Sequence, residues 1–176
     1  MAIEFDIKES AVISGIYILT PSISKDIRGN IWTSFLKDEI EKLLPGGLYF
    51  KHDKFSTSKY NVLRGIHGDY NTAKLISCPE GKFYFVVVNN IIKHPQYRQW
   101  VSFTLSEYNR WQVLIPAGFG NGHLVMSERA IFCYKQTSYY DPKGQFTLLW
   151  NDPNLDIWWP CVTPILSVRD QFGTSL

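Results

Sequence analysis

Four histidines, His52, His67, His94 and His123, are the side chains whose ordinary pKa suits a general base near neutral pH. His67 closes the segment Asn61-Val62-Leu63-Arg64-Gly65-Ile66-His67, where an apolar strand carries an arginine and a glycine just ahead of an imidazole. That makes His67 the most informative candidate for a general base. The plainer alternative is a surface Arg64 and a hydrogen-bonded strand-end His67, and spacing does not separate the two. Successive strand side chains alternate faces, so Arg64 and His67 point oppositely unless a bulge or bend intervenes at Gly65.

A second candidate lies in Ile131-Phe132-Cys133-Tyr134-Lys135-Gln136-Thr137-Ser138-Tyr139-Tyr140, where Phe132, Tyr134 and Gln136 share one face. A buried face would place the Tyr134 phenol inside a barrel, either as a core residue with its hydroxyl satisfied or as a proton donor to a carbanion or enolate. Lys74 could stabilise developing negative charge, and Asp170 could orient an imidazole. Neither stands out by its spacing.

Metal chemistry finds little support. His67 is followed by Gly68 and Asp69 rather than by a second histidine, His123 is isolated, and no HxH, HExxH or EF-hand pattern occurs. We expect neither metal nor cofactor. A Gly-rich phosphate loop would need a strand-to-helix turn that the chain does not offer, so any phosphate must be held by side chains such as Arg28 and Arg64.

The elements that must position these groups are short strands. Turn signals recur at Pro45-Gly46-Gly47, Pro79-Glu80-Gly81, Pro116-Ala117-Gly118, Asp141-Pro142-Lys143-Gly144 and Asp152-Pro153-Asn154. Between and around them, β-branched and aromatic residues predict nine strands: Val12–Leu19, Leu48–Phe55, Asn61–Ile66, Ala73–Cys78, Lys82–Asn89, Gln99–Leu105, His123–Met126, Ile131–Ser138 and Phe146–Trp150. One helix is predicted over Lys37–Leu44, with Ile40, Leu43 and Leu44 at helical spacing. The expected fold class is all-β, a jelly roll with one or two short helices, in a single domain over residues 1–176.

Composition narrows the partners. A net charge of +2 is too small for a nucleic-acid binder that works by counterion release. The longest apolar run, Phe83 to Val88, is far short of the ~20 residues of a membrane-spanning helix. Cys78, Cys133 and Cys161 are widely spaced with no CxxC pair, which suits a reducing compartment. The N-terminus carries Glu4, Asp6, Lys8 and Glu9 where a signal peptide needs apolar residues, so a cytoplasmic location is expected.

Several segments together resemble the dTDP-4-dehydrorhamnose 3,5-epimerase family of cupin-type enzymes. They are Asp26-Ile27-Arg28-Gly29, Ser56 to His67, Lys74-Leu75, Ile115-Pro116-x-Gly118-Phe119, Leu124 to Glu128, Tyr134-Lys135 to Tyr139-Tyr140, and Leu149 to Pro153. The resemblance implies proton abstraction beside the C4 ketone of a nucleotide-diphosphate-linked sugar and return of a proton on the opposite face. It implies His67 as base paired with Asp170, Tyr134 as acid, Lys74 near the ketone oxygen, Arg28 and Arg64 on the diphosphate, and a homodimer.

The chain also departs from the family pattern. Gly118-Phe119-Gly120-Asn121-Gly122-His123 has Asn121 where a histidine is usual and His123 where an aromatic is usual. His52 and Lys54 stand where the thymidine-linked enzymes have Gln and Asn, and Phe85 and Asn89 replace aspartates. These changes are similar to a subgroup acting on GDP-linked 4-keto-heptoses in capsule synthesis, which is the substrate expected. The rhamnose-pathway epimerase, a cupin 3,4-ketoisomerase, a metal-dependent cupin oxygenase and a sugar-binding jelly roll without turnover are the competing readings.

Overall fold

The computed structural model describes residues 4–176. Its strands are β1 (Phe5–Glu9), β2 (Tyr17–Pro21), β3 (Ile23–Asp26), β4 (Gly29–Trp32), β5 (His52–Lys59), β6 (Leu63–Gly68), β7 (Lys74–Glu80), β8 (Lys82–Asn89), β9 (Trp100–Ser106), β10 (Gln112–Ile115), β11 (Phe119–Val125), β12 (Arg129–Gln136) and β13 (Phe146–Thr147). Two short helices, α1 (Lys37–Ile40) and α2 (Val168–Gln171), complete the set with a 3-10 turn over Glu41–Leu43. One sheet has the order β1-β2-β10-β7-β12-β5, a second runs β13-β6-β11-β8-β9, and β3 with β4 forms a separate hairpin. All these strand pairs are antiparallel, and the protein is an all-β jelly roll.

The alternation of side chains along β8 builds two cores from one strand. Phe83, Phe85 and Val87 join Ile76, Val113 and Phe132 in the cluster between the sheets. Tyr84, Val86 and Val88 face the other way and are covered by Leu155, Ile157 and Trp159 of the C-terminal segment. Burial on both faces is why the run from Phe83 to Val88 is uninterruptedly apolar. Each such side chain contributes roughly 1.5–3 kcal/mol by leaving water. A third cluster packs Ile40 and Leu44, from the helical segment, onto Leu19, Leu75 and Leu114 of the first sheet.

Most predicted strands recur, with Lys82–Asn89 matching β8 end to end. The predicted Val12–Leu19 begins too early, because Gly15 turns the chain at φ +82° and β2 starts at Tyr17. The predicted Leu48–Phe55 slides to His52–Lys59, and Phe146–Trp150 shortens to two residues. The expected His123–Met126 is the end of a longer strand that begins at Phe119. A Cβ on its Gly120 would lie 2.7 Å from Ile66 Cγ2, so this glycine serves close strand packing. β1, β3, β4 and β10 were not expected; β1 is an edge strand of mixed charge, Phe-Asp-Ile-Lys-Glu, paired only to β2. The predicted helix Lys37–Leu44 breaks into α1 and the 3-10 turn. Among the described residues no helix is long and apolar enough to cross a membrane.

Candidate active site

One cleft opens between the sheets. The second sheet brings Arg64 and His67 on β6 and Asn121 and His123 on β11; the first brings Lys54 on β5, Lys74 on β7 and Tyr134 on β12. Asp170 reaches the same cleft from α2.

Arg64 and His67 share the cleft because β6 carries an extra residue. Asn121 pairs with His67 and His123 with Arg64, so two steps along β11 match three along β6. Gly65 sits in that bulge at φ +120°, and the Gly65–Ile66 peptide is cis. A Cβ at position 65 would lie 2.5 Å from Gly122 Cα and 2.7 Å from the Asn121 carbonyl oxygen. Only glycine fits this approach. Ile66 is fully buried in the core on the other side of the sheet.

His67 Nε2 lies 2.5 Å from Asp170 Oδ1. The second carboxylate oxygen accepts from Ser167 Oγ at 2.8 Å, and Ser167 Oγ caps α2 by accepting from the Asp170 amide at 3.2 Å. Burial alone would raise the Asp170 pKa, but the hydrogen bond and charge of His67, with hydrogen bonds from Ser167 and the Gly65 amide, hold it below the usual value. Asp170 is therefore a carboxylate that accepts, and a neutral imidazole facing it donates from Nε2, which leaves Nδ1 as the ring nitrogen able to take a proton.

Lys74 is 6% exposed and donates to Asn121 Oδ1 at 3.0 Å. Burial pushes its ammonium down to about 8, with Arg169 adding to the fall and Asp69 opposing it. His123 stacks on Phe132 with centroids 4.2 Å apart and planes 8° from parallel. Burial, helped by Arg64 and His67, pushes it down to about 3. It is a neutral wall of the cleft near pH 7, not a base. Tyr134 packs beside Phe132, ring centroids 5.3 Å apart, and Lys54 Nζ lies 5.8 Å from the Tyr134 ring centroid and 4.6 Å from that of Tyr140. Arg64 Nε donates to Ser58 Oγ at 2.9 Å, holding the guanidinium at the mouth.

Two predicted binding residues do not line this chain's cleft. Arg28 sits at the exposed tip of the β3–β4 hairpin, paired with Asp26, and does not line this chain's own cleft. His52 on β5 neighbours Tyr139, ring centroids 5.9 Å apart, just outside the lining. Conversely, Ser167, Gln136 and Arg169 line the cleft without having been singled out as site residues. Ser167-Val168-Arg169-Asp170 had a readable signal, since a serine three residues before an acidic residue marks a helix start. Gln136 was readable as sharing the face of Tyr134. Among the described residues no three His, Cys, Asp or Glu side chains are grouped so as to hold a metal ion.

Comparison with known proteins places this chain in a family. The family model for dTDP-4-dehydrorhamnose 3,5-epimerase matches residues 10–176. The dTDP-4-dehydrorhamnose 3,5-epimerase of Salmonella typhimurium is 38% identical over 168 residues, covering 93% of this chain and 92% of the relative. The fold superposes on the dTDP-6-deoxy-D-glucose-3,5-epimerase of Legionella pneumophila, solved in complex with dTDP-4-keto-L-rhamnose, with a TM-score of 0.89 at 36% identity, covering 95% of this chain and 90% of that one. It also matches the Bacillus anthracis dTDP-4-dehydrorhamnose 3,5-epimerase, solved with TDP and pyrophosphate, with a TM-score of 0.92 at 32% identity, covering 98% and 100%. With a family model spanning nearly the whole chain and relatives this similar over nine-tenths of it, the chain belongs to the dTDP-4-dehydrorhamnose 3,5-epimerase family, a family of sugar epimerases.

Proposed function

We propose that the protein epimerises a nucleotide-diphosphate-linked 4-keto sugar at C3, C5 or both. One observation carries the reading: the His67–Asp170 pair, Tyr134 and the buried Lys74 border a single cleft. His67 Nδ1 takes the proton from the carbon beside the ketone, and Asp170 stabilises the imidazolium so formed. The electron pair moves onto the ketone oxygen, where Lys74 meets charge that exists only after deprotonation. Tyr134 returns a proton from the opposite face, and its phenolate is reprotonated from solvent. Arg64 at the mouth binds diphosphate, for which the guanidinium fork is suited. The test is solvent-deuterium incorporation into 4-keto nucleotide sugars followed by NMR. Absence of exchange with any of them would leave a sugar-binding protein.

Two substrates compete. The similar proteins, named as dTDP-sugar epimerases, favour a dTDP-linked 4-keto-6-deoxyhexose. The wall formed by Asn121 and His123, polar where apolar contact suffices for a methyl group, favours a GDP-linked 4-keto-heptose with its extra carbon and hydroxyl. Direct competition between the two decides. If the dTDP-hexose is turned over as well or better, the heptose reading is wrong.

We also read the active form as a cytoplasmic homodimer. Its three cysteines are unpaired, as suits a reducing compartment. The β3–β4 hairpin exposes Ile27, Ile31 and Trp32 beside Arg28, an apolar surface that suits a partner subunit. A monomer by light scattering at micromolar concentration overturns the dimer.

A further inference from the structure

Gln136 is 4% exposed, lines the cleft, and its Oε1 finds no hydrogen-bond partner among the described residues. Buried polar atoms are almost always paired, because an orphan forfeits its hydration without return. A second orphan stands beside it. His52 Nδ1 is also buried and unpartnered, and in the register of β5 and β12 His52 lies directly opposite Gln136. On its other side Gln136 pairs with Lys74 of β7. By strand alternation Gln136 shares the cleft face with Phe132 and Tyr134. A row of three polar side chains, His52, Gln136 and Lys74, thus crosses the sheet at one level. Lys74 donates to Asn121, whereas Gln136 Oε1 and His52 Nδ1 have no hydrogen-bond partner among the described residues.

We propose that Gln136, backed by His52, is a hydroxyl-binding subsite that selects sugars with a free hydroxyl on the carbon attached to C5. A hydroxyl both donates and accepts, so it complements an amide in either orientation. The assignment of the carbon rests on the proposed function, in which Lys74 marks the ketone oxygen on C4 and its register neighbour faces a group near it. The C3 hydroxyl is common to such 4-keto sugars, so an acceptor there would distinguish little. The C6 hydroxyl is what a 6-deoxy sugar lacks. A site built to bond a hydroxyl rejects the analogue without it, because the protein's own polar atom is then left orphaned.

The test is calorimetric binding of two matched pairs, dTDP-glucose against dTDP-6-deoxyglucose and GDP-mannose against GDP-6-deoxymannose, to the native chain and to Gln136→Met. The native protein should bind the hydroxylated member of whichever pair it accepts about 10- to 100-fold more tightly. Gln136→Met should abolish that preference while binding the free nucleoside diphosphate as before. It should also melt at the same or a higher temperature, because an apolar isostere removes an orphan polar atom. No preference in the native chain, or a preference that survives Gln136→Met, overturns the subsite, and a variant that melts well below native marks the amide as structural and does the same. A preference that Gln136→Met abolishes, in a protein that exchanges no deuterium into 4-keto sugars, upholds hydroxyl selection and defeats the epimerase reading instead.

Discussion

Asp170 Oδ1 stands 2.5 Å behind His67 Nε2, across 103 residues of sequence, with its other oxygen tied to Ser167. The imidazole is thereby fixed in one tautomer and one orientation. Replacing His67 by Asn keeps a hydrogen bond to Asp170 within reach but removes the proposed base, so deuterium exchange should fall roughly 10²- to 10⁴-fold with nucleotide affinity nearly unchanged. NMR exchange rates and calorimetry check the two halves. Undiminished exchange would exclude His67 as the base.

Tyr134→Phe deletes one hydroxyl and leaves the packing against Phe132 in place. On the proposed roles, abstraction by His67 then persists while delivery from the opposite face fails. Deuterium exchange should outlast full epimerisation, measured on the same samples by NMR and by product chromatography. Loss of both to the same extent would argue against separate roles.

Lys74 gives a pH dependence with a definite sign. Its ammonium titrates near 8 in the folded free protein and near 10.4 when unfolded, so the charge is lost as pH rises through about 8. The kcat/KM for the 4-keto sugar should decline above pH 8. Between pH 8 and about 10.4 the unfolded chain binds the extra proton, so the contribution of Lys74 to stability rises over that window and its burial cost is complete below it. Lys74→Met should therefore melt several degrees higher at pH 7 while losing most activity. A lower melting temperature would mean that the bond to Asn121 outweighs the cost of burial.

Gly65→Ala tests the bulge. Its methyl group would meet the backbone of Gly122 and Asn121 at 2.5–2.7 Å in a conformation L side chains rarely adopt. We expect about 2–4 kcal/mol of destabilisation by chemical denaturation, from the forced separation of β6 and β11. Catalysis should fall further than the unfolded fraction accounts for, because Arg64 and His67 lose their common face. Native stability in the variant would show that the strands part at little cost.

What the sequence determined by itself was local. The period-2 patterns of β8 and β12 are legible because a strand's faces follow from alternation alone, and Phe132, Tyr134 and Gln136 were placed on one face by that rule. The departure needed at Gly65 was legible too, as a requirement: Arg64 and His67 could not act together without it. Tertiary structure decided whether it occurred, since the extra residue on β6 is set by register against β11, more than 50 residues away. Tertiary structure alone also packed Gly120 and Gly122 of β11 closely against β6, brought Lys74 to Asn121, and left Gln136 Oε1 and His52 Nδ1, on paired strands, without hydrogen-bond partners among the described residues. These relationships join residues distant in sequence, and their energies depend on which polar atoms burial deprives of water. No local pattern encodes that; it arises only when the sheets close over one another and each side chain meets a particular neighbour.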